Sequence, residues 1–283
     1  MDHYSIQDVG GTMPAIQHGI AKVQDIIDSL PCMKREAVPV GNLCVALNCG
    51  GSDAFSSLTA NPLVGRCSDY LAAMSASAVL AEITECTGAE ELLCVRAATP
   101  QMKTRVHEMY AWWQAYAQRH KVEINDNLSL GNIASGITNI VEKSLGAISK
   151  GGNSPLRQVV DYAEPVTETG IVLMNTPGFD PVSVTGLVAG GCNMVIFTTG
   201  RGSTYGSSIA PTLKIATTTE LFKRMGGDMD FDSGRILGGQ TLEDAAIELF
   251  HAVVDVAGGK PTSSELLGLG HEEFVPWPVG ETL

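Results

Sequence analysis

Residues 43–53, Leu-Cys-Val-Ala-Leu-Asn-Cys-Gly-Gly-Ser-Asp, set the terms for the fold. An apolar run, Leu43 with Val45, Ala46 and Leu47, stops at Asn48 and Cys49, and Gly50 and Gly51 follow. A short continuous apolar run closed by a glycine turn reads as a strand buried on both faces. Ser52 and Asp53 suit a helix N-cap, so a helix is expected directly behind the turn. In open α/β sheets ligands bind at the carboxyl ends of the strands, and glycines let the backbone approach them closely. A thiol, a hydroxyl and a carboxylate at one strand end exceed what a structural turn needs.

The pattern recurs. Gly170–Met174 is apolar and stops at Asn175-Thr176-Pro177-Gly178, and Met194–Phe197 stops at Thr198-Thr199-Gly200-Arg201-Gly202-Ser203. Leu213–Ala216 is a third such run, and Ser77–Ile83 and Glu91–Ala97 also have strand character. Between them the apolar spacing is helical: 12–29 (Ile16, Ile20, Val23, Ile27, closed by Pro31), 64–75, 99–120, 139–150 (closed by Gly151 and Gly152), 219–225 and 242–257. Trp112, Trp113 and Tyr116 read as packing on the 99–120 helix, and Pro276-Trp277-Pro278 as a tail docked on the surface. Strands alternating with helices predict an α/β fold, a mainly parallel sheet sandwiched between helices. Five or six strands in one doubly wound domain over 1–283 are expected.

Composition removes several classes. Hydrophobic residues make up 44% and charged residues 17%, an ordinary globular balance rather than a disordered one. No apolar run reaches the length of a membrane span, and Met1–Gly11 carries no signal pattern. A net charge of −13 leaves no basic patch for nucleic acid. The seven cysteines are scattered and form no CxxC pair, which predicts reduced thiols in a cytoplasmic protein.

Four polar clusters stand at element ends. Cys49–Asp53 is the first. Glu82 and Glu85 share a face if helical, and the pair can bind a divalent metal, act as a base, or simply line a solvated helix edge. The third runs from Asn125-Asp126-Asn127 through Gly131-Asn132 to Lys143, a proton carrier or a surface lysine. In the fourth, Gly200 and Gly202 flank Arg201, a geometry that fixes a guanidinium against an oxyanion, with Lys214 downstream. The six histidines show no metal-binding spacing.

The strings CGGSDAFSSLTANPLVG (49–65), AEITECTGAEELL (81–93), GNIASGITNIVEKSLGAISKGG (131–152), TPGFDPVSVTGLVAGG (176–191), FTTGRGS (197–203), APTLKIAT (210–217) and DMDFDSGRI (228–236) carry a joint resemblance. From about residue 40 onward the chain resembles the carboxyl-terminal catalytic region of the altronate and galactarate dehydratase family. The resemblance implies a flavodoxin-like three-layer α/β region. It also implies a hydro-lyase dependent on Fe2+ or Mn2+ that removes water from a sugar acid to give a 2-keto-3-deoxy acid. A related branch releases sulfite from sulfolactate instead. Family members carry a further amino-terminal domain, so such a domain or subunit is an expected partner, and a homo-oligomer is a further expectation. A non-catalytic module completing a site on that domain is the competing reading.

The roles expected from residue chemistry and motif position are these. Arg201, with the amides around Gly50, Gly51 and Gly202, receives the substrate carboxylate. Ser52, Asp53, Thr199 and Ser203 meet substrate hydroxyls, with Ser52 and Asp53 also able to face a metal. Glu82, Glu85 or Lys143 carries protons, and Cys49 is a candidate ligand for a soft divalent metal such as iron.

Overall fold

The computed structural model describes residues 3–30 and 36–283. The chain forms two compact units, residues 1–39 and 40–283, where the sequence suggests one domain. The first unit holds helix α1 (Thr12–Ser29), at the place its apolar spacing predicts. Tyr4 donates its hydroxyl to the Ala15 carbonyl at 3.0 Å. The stop expected at Pro31 lies outside the described residues.

The second unit is built on seven parallel strands: β1 (Cys44–Cys49), β2 (Ser77–Leu80), β3 (Leu156–Val160), β4 (Gly170–Met174), β5 (Met194–Thr199), β6 (Thr212–Ala216) and β7 (Phe231–Asp232). Their order is β3-β4-β2-β1-β5-β6-β7. Helices fill the connections: α2 (Ala60–Ala73), α3 (Glu91–Cys94), α4 (Pro100–His120), α5 (Leu130–Ala134), α6 (Ile140–Ser149), α7 (Asp180–Ala189), α8 (Thr219–Arg224), α9 (Leu242–Ala257) and α10 (Ser263–Leu266). This is the expected three-layer α/β arrangement. Side chains alternate between two cores. Val45, Leu47, Ala78, Leu80 and Ile196 enter one, and Ala46, Val79, Val172 and Val195 enter the other. Burial on both faces is why the strands read as unbroken apolar runs.

Two strands escape the sequence reading. β3 lies at the sheet edge, so Arg157, Gln158 and Val159 keep some exposure and blur the apolar signal. β7 is only two residues long. One expected strand is a helix: within 91–97, Leu93 and Cys94 are buried while Leu92 and Val95 are exposed, and Glu91–Cys94 forms the one-turn α3. The aromatic reading holds, since Trp277 stacks on Trp113 with centroids 5.2 Å apart.

The order places the ligand crevice. β1 leads to β2 on one side of the sheet, and after β4 the chain crosses over to lay β5 on the other side of β1. The carboxyl ends of β1 and β5 therefore form the switch point where open α/β sheets bind ligands. The two glycine turns are tied together there. Gly50 donates its amide to the Thr198 carbonyl at 3.0 Å, and Gly200 donates to the Gly51 carbonyl at 3.1 Å.

Candidate active site

The site begins with a strained turn. Behind β2 the chain passes through Glu82 in the left-handed region (φ 60°, ψ 56°) and then one 3-10 turn, Ile83–Cys86. A left-handed conformation costs a non-glycine residue about 1–2 kcal/mol. Thr176 holds it in place: its Oγ1 accepts from the Glu82 amide at 2.8 Å and its carbonyl accepts from the Ile83 amide at 3.0 Å. The turn delivers two buried carboxylates to the end of β1. The Cys49 thiol lies 3.2 Å from Glu82 Oε2 and 3.1 Å from Glu85 Oε2, and the Cys49 amide donates to Glu82 Oε2 at 2.9 Å.

Each carboxylate has its own lysine. Lys150 Nζ, fully buried, sits 2.9 Å from Glu82 Oε2, and Lys143 Nζ sits 2.8 Å from Glu85 Oε1. Asn127 anchors Lys143 through its carbonyl at 2.8 Å and its Oδ1 at 2.6 Å. Burial would lower both ammonium groups. For Lys143 the charge and hydrogen bond of Glu85 outweigh it and carry the ammonium above its usual value. For Lys150 the charges of Cys49, Glu82 and Glu85 do the same, more strongly. Burial, against the opposing charge of Lys150, raises Glu82. Burial with both carboxylates pushes Cys49 well up.

A cavity of about 520 Å³ opens over this cluster. Gly50, Gly51 and Ser52 form one wall, Glu85 and Lys143 another, and exposed Arg201 stands at the rim. Arg201 is seated by two glycines: a Cβ at Gly51 would come 3.0 Å from its Nε, and a Cβ at Gly131 would overlap its guanidinium. Asn132 of α5 donates to the Ser52 carbonyl at 2.8 Å and ties that helix to the β1 turn. The structure thus brings Gly50, Gly51, Ser52, Glu85, Lys143 and Arg201 to one cavity, with Cys49 and Glu82 buried behind Glu85.

The other expected residues face elsewhere. Asp53 caps no helix: its carboxylate accepts from the Ser56 amide at 2.8 Å, the Ser56 hydroxyl at 2.9 Å and the Thr217 hydroxyl at 3.0 Å. The helix behind the turn starts only at Ala60, and its N-cap, Thr59, makes no side-chain cap bond. Thr199 is wholly buried, and its hydroxyl accepts the amides of Arg201 (3.3 Å) and Gly202 (3.0 Å). Gly202 therefore spends its amide inside the turn, as Gly50 does. The Ser203 hydroxyl accepts from the Tyr205 amide, and its carbonyl accepts from Lys214 Nζ. These four residues build the turns that carry Arg201.

Two functional candidates were not foreseen. Lys150 reads as the last residue of a helix that Gly151 and Gly152 close; only its burial against Glu82 sets it apart. Asp180 opens α7 behind β4 and reaches the cavity wall. A Cβ at Gly50 would overlap its carboxylate, so the glycine makes the room Asp180 occupies. Burial, with the charges of Glu82 and Glu85, pushes Asp180 well above the ordinary carboxylate range. Its signal was present, because a polar residue behind a buried strand is what singled out Ser52 and Asp53.

The donor set can be weighed as a metal site. The ligand atoms of Cys49, Glu82 and Glu85 lie within 4.8 Å of one another, and Glu82 Oε1 is buried without a hydrogen-bond partner. A thiol with two carboxylates suits a borderline divalent ion such as Fe2+. Lys143 and Lys150 already offset the two carboxylates, so the residues fit an ion provided Cys49 releases its proton as the ion enters.

Comparison with known proteins identifies the family. The family described as D-galactarate/Altronate dehydratase, C-terminal, matches residues 40–282. The chain is 38% identical over 251 residues to the altronate dehydratase of Bacillus subtilis (strain 168), covering 88% of this chain and 50% of that protein. It is 40% identical over 250 residues to the galactarate dehydratase (L-threo-forming) of Escherichia coli (strain K12), covering 87% and 48%. It is also 31% identical over 269 residues to the (2R)-sulfolactate sulfo-lyase subunit beta of Chromohalobacter salexigens, covering 94% and 69%. The chain spans about half the length of the two dehydratases. With Arg201, Lys143 and the paired glutamates gathered at the switch point and the match running through all of them, the chain belongs to the D-galactarate/altronate dehydratase family, as its carboxyl-terminal region.

Proposed function

We propose that this chain carries the catalytic cavity of a hydro-lyase that removes water from a sugar acid, giving a 2-keto-3-deoxy acid. The observation that carries the reading is Glu85 paired with Lys143 in a cavity rimmed by Arg201. Removing a proton beside a carboxylate builds charge on that carboxylate, and Arg201 is placed to stabilise it through paired N–H donors. Asp180 is the base: a carboxylate held above its ordinary range binds a proton more strongly than an exposed one. Lys143 is the acid. It stays charged through Glu85 and gives its proton to the departing hydroxyl, after which Asn127 still holds the amine. Ser52 and the Gly51 backbone orient the remaining hydroxyls. Cys49, Glu82 and Glu85 are the residues to hold a divalent ion, Fe2+ or Mn2+, which when bound supplies Lewis-acid stabilisation of developing negative charge.

The names of the two dehydratases support altronate or galactarate as substrate. The sulfolactate relative supports sulfite elimination as the second reading, since the same proton removal serves either leaving group. A panel of hexonates, hexarates and sulfolactate, assayed with Fe2+ and with Mn2+, separates them. Keto-acid formation from a sugar acid is expected. Sulfite release from sulfolactate alone, or no turnover until an amino-terminal partner is added, would replace the proposal with the second reading or with a shared site.

A further inference from the structure

A second group of ligating side chains lies outside the cavity, where α3 packs on α4. Glu91 opens the one-turn α3 and Cys94 closes it three residues later, so both stand on one face of the turn. His107 comes from the second turn of α4. Cys94 Sγ lies 3.6 Å from His107 Nε2, and Nε2 lies 3.3 Å from Glu91 Oε1. All three ligand atoms fall within 4.8 Å of one another.

These spacings have a specific meaning. A tetrahedral zinc ion with Zn–S of about 2.3 Å and Zn–N and Zn–O of about 2.0 Å sets S···N at about 3.6 Å and N···O at about 3.3 Å. Two of the three edges between these ligands already stand at those lengths, and the third, from Cys94 to the Glu91 carboxylate, is within 4.8 Å. Hydrogen bonding explains them less well. A thiol is a weak donor, and an exposed His–Glu pair contributes little, so neither contact requires all three groups to converge. Lys103 Nζ lies 3.3 Å from Glu91 Oε2 and so leaves the ligand oxygen Oε1 toward His107. Cys94 is buried, whereas Glu91 and His107 are exposed, so the thiol forms the floor and one side stays open to solvent.

We infer that Glu91, Cys94 and His107 form a surface zinc site with its fourth position open to water or to a ligand from a partner. Thiol and imidazole donors select Zn2+ or Co2+ over Mg2+ or Ca2+. A bound ion would join α3 to α4 and so brace the segment that follows the Glu82–Cys86 turn.

Cobalt titration of the whole chain tests this, because thiolate ligation gives Co2+ a charge-transfer band. Wild type is expected to bind one more equivalent, with that band, than either Cys94→Ser or His107→Ala. Zn2+ should displace it with a Kd of about 10 µM or tighter, and millimolar Mg2+ should not. His107 is exposed, so His107→Ala serves even where the buried Cys94 does not tolerate change. Any ion at Cys49 remains in both variants, which keeps this result independent of the proposed activity. A His107→Ala protein with the same stoichiometry and spectrum as wild type would overturn the inference, as would weaker zinc binding by the wild type.

Discussion

Lys150 and the Glu82 carboxylate it holds are both fully buried, and neither partner is tolerable there alone. Removing one member of a buried pair typically costs about 3–5 kcal/mol, because the other charge is left uncompensated. Lys150→Met should therefore lower unfolding stability by about that much in urea, and adding Glu82→Gln should recover part of it. Equal losses in the single and double variants would show that the cost is packing. Asp180 behaves in the opposite way. Its folded carboxyl titrates above its unfolded one, so the native state holds the proton more tightly. That contribution is complete below the ordinary carboxylate range and is lost as pH rises through the folded value. Asp180→Asn should then be more stable than wild type at neutral pH, with the gain shrinking as pH falls toward 4, while turnover drops by roughly 10²–10⁴ if Asp180 is the base. Melting curves across pH together with kcat check both halves. Of these residues the sequence announces Cys49, Glu82, Glu85 and Arg201 by their place behind apolar runs, and Lys143 by the polar cluster that runs into its helix. It hides Lys150, because a lysine ending a helix looks the same whether it faces water or Glu82.

At the scale of elements, short helices act as fittings for the site. Ser129 and Asn132 form a capping box that fixes α5. That helix brings Gly131 against the Arg201 guanidinium. Gly131→Ala adds a methyl where the end of a flexible side chain lies, so Arg201 yields rather than the backbone. Alanine also favours a helix by about 0.5–1 kcal/mol over glycine. KM for a sugar acid should rise roughly tenfold, the worth of a weakened charged hydrogen bond, with thermal stability unchanged or slightly higher. Loss of stability with KM intact would mean that Gly131 serves packing and Arg201 does not touch substrate. The elements themselves were legible where burial is one-sided or complete: α4, α6, α9 and the four central strands all follow apolar period, and α1 follows it although Ile16, Ile20, Val23 and Ile27 are exposed. β3, at the edge, and α3, too short to show a period, were not. The α2 start was misjudged because Asp53 spends its carboxylate on Ser56 and Thr217, and an Asx turn and an N-cap use the same residue types.

Across the whole molecule, charge and local site chemistry oppose each other. The chain carries a net charge of −13, while its cavity sets Arg201 and Lys143 among the acidic Glu85, Asp180 and Glu281. The proposed substrate, a sugar-acid anion, would approach through a repulsive long-range field before it meets Arg201 and Lys143 at short range. Salt separates the two, because the Debye length is about 10 Å at 0.1 M, much longer than a hydrogen bond. Screening should therefore relieve the approach more than it weakens the contact. The repulsion scales with substrate charge, so log kcat/KM should rise with ionic strength for a hexonate monoanion and about twice as steeply for a hexarate dianion. Steady-state kinetics over a series of sodium chloride concentrations, with the divalent metal held constant, read this directly. A fall in kcat/KM for both substrates would mean that the field at the cavity mouth is set by Arg201 and its neighbours rather than by the molecule as a whole.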